Sequence, residues 1–314
     1  MDNLLFTANT VLPVFLIVFL GMGLKRWGLM NDNFVNLSSK IVFTISLPTL
    51  IFLELSVIDF TTALDMRQII YVCSGTLFSF VLSWFISKPF IKDARDRSVF
   101  IQGSFRGNYA IIGLALTANM FGSESLGKAS ILLACILPLY NVLAVIALTV
   151  PMRHERQMKI SGALWEVVKN PLIMAVFFAI PFAYFKIAVH PLVERTGDYL
   201  AALTLPLALI GIGGSLGLEE IKRPSVIALS ASAFKIILTP LLLTFGAYLL
   251  DYTGEDLGIM FILFACPTAI VSFVMAEAMG VNGKLAGNII VISTLASIVT
   301  ISAGLFFLRS YGLI

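Results

Sequence analysis

Arg106, Gly107, Asn108 and Tyr109 stand in a row midway along an otherwise apolar stretch, residues 98–121. A guanidinium at mid-bilayer depth is costly, so such a residue marks a substrate or ion path by default. Its planar fork of N–H donors matches a carboxylate at two points, which makes Arg106 the candidate anchor for an organic anion. The competing reading is structural: Arg106 satisfies carbonyls freed where the helix is interrupted. Gly107 and Asn108 supply the interruption. Broken backbone at that depth survives only where protein or a water-filled cavity surrounds it. A second cation, Lys235, lies midway along residues 225–250. It is a counter-ion, a gate or a substrate contact, or else it snorkels along its four-carbon stem toward the interface.

Pro267 and Thr268 interrupt a second apolar stretch, residues 257–278. A proline there removes a backbone donor and disfavours helix in the residue before it. Asn108, Thr268 and Ser272 either hydrogen-bond a substrate or a coupling cation, or cap the half-helices that such breaks create. Asn141, and Asn288, Ser293 and Thr294 further on, are polar groups on helices expected beside the breaks. The last three are the candidates for holding a cation. Side chains of these types also bond between helices with no further role.

The elements that must position these groups are membrane spans. Of 314 residues, 59% are hydrophobic and only 12% charged, where a soluble domain carries about 25%. Mean hydropathy is +0.97. Apolar stretches of roughly the twenty-residue spanning length fall at 4–24, 35–57, 68–87, 98–121, 128–150, 170–189, 199–217, 225–250, 257–278 and 285–308. The first has no basic region before it and Lys25-Arg26 after it, so it reads as a retained helix rather than a signal peptide. With the N-terminus outside, the cytoplasmic connections hold 14 Lys and Arg residues and the outer ones 5, leaving Arg106 and Lys235 inside spans. That asymmetry sets the orientation, with both termini outside.

The chain also repeats itself. Pro13 and Pro171, Leu47-Pro48 and Leu205-Pro206, and Ala118–Gly122 and Ala276–Gly280 all match at an offset of 158 residues. Five spans per copy is odd, so the second copy enters the membrane inverted, and inverted repeats place a substrate site where the copies meet. The expected organisation is a first five-helix repeat at 1–150, a cytoplasmic connection at 151–168 and a second, inverted repeat at 169–314. The same offset places Asn108-Tyr109 opposite Cys266-Pro267. If both spans break, two half-helix N-termini face one central space, and their free N–H groups favour an anion there.

At these residues the chain resembles the auxin efflux carrier family, in its bacterial form. The shared features run the full length. They include Val11–Phe15 with Gly21 and Lys25–Leu29, Leu47-Pro48, Phe105–Asn108 with Ile112–Leu114, Leu139–Val142, Asn170–Ile173, Leu205–Leu209 and Cys266–Ala269. The resemblance implies an all-α membrane protein of ten transmembrane helices in two inverted five-helix repeats, with broken crossing helices 4 and 9. It implies a scaffold domain, a mobile domain and an organic-anion substrate, of malate, malonate or auxin-like type. It also implies kinship with the bile acid–sodium symporter fold, and so coupling to Na⁺ or H⁺. Plant members carry a proline at the span-four crossover where this chain has Tyr109-Ala110, so the break here rests on Gly107 and Asn108.

The function expected is a secondary active transporter of small organic anions in the plasma membrane, working by alternating access. A channel or a non-transporting sensor of the same architecture is the alternative. No paired carboxylates, HExxH or Ser–Lys dyad points to an enzyme. Cys73, Cys135 and Cys266 are far apart, and His154 and His190 lie in connections, so no metal, cofactor or disulfide is expected. The expected partners are the anion, the lipid bilayer and a second copy in a homodimer, with no nucleic acid.

Overall fold

The computed structural model describes residues 2–57, 65–152, 171–216 and 225–314. Among them every regular element is helical: α1 Asp2–Arg26, α2 Asp32–Ser56, α3 Met66–Phe90, α4 Ala94–Phe105, α5 Tyr109–Phe121, α6 Leu126–Thr149, α7 Pro171–Tyr184, α8 Pro191–Ser215, α9 Val226–Leu249, α10 Gly254–Ala265, α11 Val271–Ala278 and α12 Gly283–Ser310. Seven of the described helices are long and apolar enough to cross a bilayer: α1, α2, α3, α6, α8, α9 and α12. The chain is an all-α, multi-pass membrane protein. Residues 98–121 and 257–278, the two stretches expected to be interrupted, each form two shorter helices, α4 with α5 and α10 with α11. The expected connection at 151–168 falls, beyond residue 152, outside the described residues.

Polar residues at the ends of the apolar runs start the helices. Asn31, Asp65, Asp93, Ser225 and Asn282 each accept a hydrogen bond from an amide of the first turn that follows. These caps satisfy donors that have no partner within the helix. Helix α1 ends on Lys25 and Arg26, which complement the negative end of its dipole. Helix α8 begins well before the stretch expected from hydropathy. Its first part, Pro191–Ala202, carries Glu194, Arg195 and Asp198 beside apolar residues and so is amphipathic rather than uniformly apolar.

Two long helices widen before a proline. Val42–Ser46 of α2 precedes Pro48, and Phe234–Leu238 of α9 precedes Pro240; both form a π turn. Proline has no N–H, and its ring crowds the carbonyl four residues back, which lies inside the widened turn in each case. Helix α8 shows a related irregularity at Leu203, just ahead of Pro206.

The helices sort into two packed groups. In one, α1 lies along α8 and α2 along α7. Glycine makes the α1–α8 contact as close as it is. A Cβ on Gly213 would overlap the Val18 carbonyl oxygen, and one on Gly21 would overlap the Ile210 carbonyl oxygen. In the other group, α3 packs on α4 and α6, α9 on α10 and α12, and α4 on both α6 and α9. Helices α4 and α10, which end at the interruptions, belong to this second group, and α1 meets α5 and α12 across the seam between the groups.

Candidate functional site

Helix α4 ends at Phe105, and Arg106 continues in extended conformation. Helix α10 likewise ends at Ala265, followed by extended Cys266. The two freed stretches pair with each other. Gly107 and Thr268 form an antiparallel bridge. It is closed by the Asn108 amide donating to Pro267 O at 2.7 Å and the Ala269 amide donating to Arg106 O at 3.1 Å. Backbone groups that no helix satisfies at this depth are therefore satisfied across the junction, as a dry environment requires.

The orphan carbonyls at the two helix ends are met by side chains. Gly103 O would serve the amide of residue 107 if α4 continued; instead it accepts the Thr268 hydroxyl at 2.7 Å. The Thr268 amide donates to Ser293 Oγ at 3.2 Å. That leaves Phe264 O without its helical donor, and the Lys235 ammonium supplies one at 2.6 Å. Lys235 is 1% exposed, so it does not snorkel. It caps a helix C-terminus, where a cation also gains from the dipole.

Arg106 is 4% exposed and is held differently. Its Nη2 donates to Asn141 Oδ1 at 2.7 Å, and its Nη1 to Met275 Sδ at 2.8 Å. Both acceptors are neutral. Among the described residues neither Arg106 nor Lys235 has a carboxylate partner; the ion pairs lie elsewhere, at Lys25–Asp32 and between Lys128 and Asp256.

A cavity of about 220 Å³ opens beside the junction, at the seam between the two helix groups. Arg106, Gly107 and Asn108 line it, as do Ala110 and Ile111 from the start of α5 and Ala269 and Ile270 from the turn into α11. Opposite them stand Ser39, Val42 and Phe43 of α2 with Ala208 and Ile212 of α8, and α6 contributes Leu133, Leu137 and Tyr140. The walls are mostly apolar. The polar features are the guanidinium, the Asn108 amide, two hydroxyls and the first turns of two half-helices, whose leading N–H groups have no partner within their own helix. Asn108 makes no side-chain cap on α5, so the capping role considered for it is not adopted in this structure.

Of the sequence candidates, Arg106, Gly107 and Asn108 face the cavity. Asn141 stands behind Arg106. Lys235 touches the other side of Gly107, where a Cβ would lie 3.3 Å from its Nζ. Pro267 and Thr268 form the floor of the junction rather than the wall of the cavity. Tyr109 is turned into the core against Gly113. Ser272 Oγ and Asn288 Oδ1 are buried without a hydrogen-bond partner. Ser293 is occupied by the Thr268 amide and by Ile290 O, and Thr294 is buried with its carbonyl accepting from Ser297. Three residues with polar or hydrogen-bonding roles at the site were missed, Ser39, Tyr140 and Met275. Tyr140 follows Leu133 and Leu137 on one face of α6, a helical spacing legible in the sequence. Met275 carries no polar signal at all.

The family profile described as "Membrane transport protein" matches residues 6–303, nearly the whole chain. The chain belongs to that family. It is the auxin efflux carrier family whose motifs the sequence carries, and the chain is a membrane transporter. It is similar to an uncharacterized transporter of Methanocaldococcus jannaschii, 24% identical over 306 residues, which cover 94% of this chain and 96% of that protein. An uncharacterized transporter of Methanothermobacter thermautotrophicus is 22% identical over 297 residues, again covering 94% and 96%. A Rhizobium meliloti protein described as "Putative malonate transporter" is 30% identical over 155 residues, 48% of this chain and 47% of that one.

Proposed function

We propose that the protein is a secondary carrier of small organic anions, working by alternating access in the plasma membrane with both termini outside. The observation that carries this reading is Arg106: a buried guanidinium on a cavity wall, held among the described residues by neutral acceptors, between the first turns of two half-helices. Such a site lacks negative charge and has donors to complement it. A carboxylate is the simplest ligand that supplies what is missing. The similarity to a protein described as a malonate transporter puts malonate first among the acids to try.

The transport cycle follows from where the cavity sits. It lies on the seam between the two helix groups, so sliding one group along the other moves its opening. The cavity reaches α2 through Ser39, Val42 and Phe43, near the Asp32 end that the charge distribution places on the cytoplasmic side. A second hollow of about 370 Å³ lies on the same seam toward the other face, between Pro13, Leu50, Asn119 and Leu205. Substrate held at Arg106 would meet one opening and then the other.

Ten spans in two inverted five-helix repeats are the architecture we assign. The packing supports it: α1 against α8 is matched by α7 against α2, and α3 against α4 by α9 against α10. So does a pair of contacts at opposite ends. Lys128 at the start of α6 meets Asp256 at the start of α10 at 2.8 Å, and Asn282 before α12 meets Asp96 of α4 at 2.7 Å.

Uptake into liposomes by purified protein tests the reading, using mono- and dicarboxylates with imposed Na⁺ or pH gradients. Saturable uptake stimulated by internal substrate is expected of a carrier; linear, non-exchanging flux would indicate a channel. Arg106→Ala is expected to abolish carboxylate binding in a protein that remains folded. Normal affinity in that variant would remove Arg106 from the site.

A further inference from the structure

We propose that Met275 is a positioning residue, a displaceable latch that occupies one donor edge of Arg106 until substrate takes it. The inference rests on Arg106 being the substrate anchor.

The two acceptors of the guanidinium differ in chemistry. Asn141 Oδ1 is an amide oxygen, and its bond from Nη2 is a strong charge-assisted one. Met275 Sδ is a thioether, a weak acceptor with no charge. It is also shared, because the Gln102 amide donates to the same sulfur at 3.7 Å. A carboxylate oxygen is a far better partner for a guanidinium N–H than a thioether sulfur is. An incoming anion therefore gains most by displacing the sulfur from Nη1 and least by displacing the amide from Nη2. Asn141 keeps the fork oriented while Met275 yields.

The placement of Met275 suits this role. It lies four residues after Val271, which lines the cavity, and so one turn along the same face of α11. Its unbranched, flexible side chain can swing away without strain. It is partly buried and packed against the core, so water does not compete freely for the guanidinium. The latch also joins the two crossovers. Arg106 belongs to the first and Met275 to the half-helix that follows the second, so filling the site releases a side-chain tie between the first crossover and α11. The backbone pairing of Gly107 with Thr268 stays in place.

The latch makes a prediction opposite to that of a merely structural methionine. Met275→Leu keeps most of the volume and removes the competing acceptor. Malonate should then bind roughly threefold to tenfold more tightly, the loss of one weak competing hydrogen bond. The KM for malonate uptake should fall in step, with no rise in Vmax. Met275→Glu places a permanent carboxylate on Arg106 and should weaken malonate binding by about a hundredfold or more, as expected for a charged competitor. Unchanged or weaker binding by Met275→Leu, with its unfolding midpoint at the parental value, overturns the latch. If that variant is not recovered folded, Met275→Gln decides: its amide oxygen is the stronger acceptor, so binding must weaken, and equal or tighter binding overturns the proposal. Arg106→Ala separates the two claims. Loss of binding there with no gain in Met275→Leu rejects the latch alone; retained binding in Arg106→Ala rejects the anchor and the latch together.

Discussion

Thr268→Val removes one hydroxyl and leaves nearly the same shape. That hydroxyl donates to Gly103 O at 2.7 Å, and both residues are buried. The variant leaves the carbonyl at the end of α4 without a donor in a place water does not reach. An orphaned buried acceptor of this kind destabilises by about 1–3 kcal/mol. The rest of the junction remains: the amides of Asn108 and Ala269 still bridge it, and the residue 268 amide still reaches Ser293 Oγ. The protein should therefore fold, with its thermal midpoint lowered by roughly 2–12 °C, at the 2–4 °C per kcal/mol typical of larger domains. Thr268→Ser retains the donor and should stay close to the parent. Ser293→Ala removes the acceptor of the same residue's amide. The double variant Thr268→Val with Ser293→Ala should be non-additive by at least about 0.5 kcal/mol, as neighbours in one network are. Thermal unfolding in detergent, followed by tryptophan fluorescence, reads all four proteins. If Thr268→Val melts with the parent, the two crossovers are not joined through this hydroxyl, and the account of how α4 ends is wrong.

Other substitutions separate close packing from chemistry. Gly213→Ala should prevent recovery of monodisperse protein by size-exclusion chromatography, because its Cβ meets the Val18 backbone, which cannot yield. Gly211→Ala, whose Cβ meets Ser39 Oγ at 3.4 Å and Ser38 Oγ at 3.8 Å, should change stability by less than about 1 kcal/mol, as for a tolerated substitution. Lys128→Ala breaks a partly exposed ion pair with Asp256 and should cost at most about 1 kcal/mol, with malonate uptake unchanged. Cys266 is fully buried at the crossover; in a variant retaining it as the sole cysteine, maleimide should label it only after denaturation.

Much of this was legible from residue types. Gly107 and Pro267 are helix breakers, and breakers at matching depths in two spans place a junction between them whatever else the chain does. The offset of 158 residues needed no structure either. The roles of the polar groups were not legible, because they depend on which orphan atom lies nearest. Thr268 looked like a half-helix cap or a ligand; its hydroxyl caps α4, a helix more than 160 residues earlier. Asn108 precedes the first turn of α5 and read equally as its cap or as a ligand contact; it makes no cap bond and lines the cavity. Ser293 was grouped with cation candidates, and the vacancy it fills, the Thr268 amide, exists only because α10 stops at Ala265. Span length was misleading at α8, where an amphipathic first half extends the helix beyond its apolar run.

The two intramembrane cations show why charge alone does not identify a binding residue. In sequence, Arg106 and Lys235 are alike: each is a lone cation midway along an apolar span, with no acid beside it. In the structure Lys235 is committed. Among the described residues its side-chain bond goes to a carbonyl at a helix C-terminus, a charged donor meeting an acceptor whose helical donor is missing, and removing it would orphan that carbonyl. Arg106 is not committed in that sense. Neither of its side-chain acceptors needs the guanidinium: Asn141 can turn its amide, and Met275 loses little by losing a donor. A buried group whose partners can release it at small cost is the one available to a ligand, and it is also the one that faces the cavity. A cation that leaves an orphaned carbonyl when it lets go is held in place, and one whose acceptors lose little is free to take a ligand.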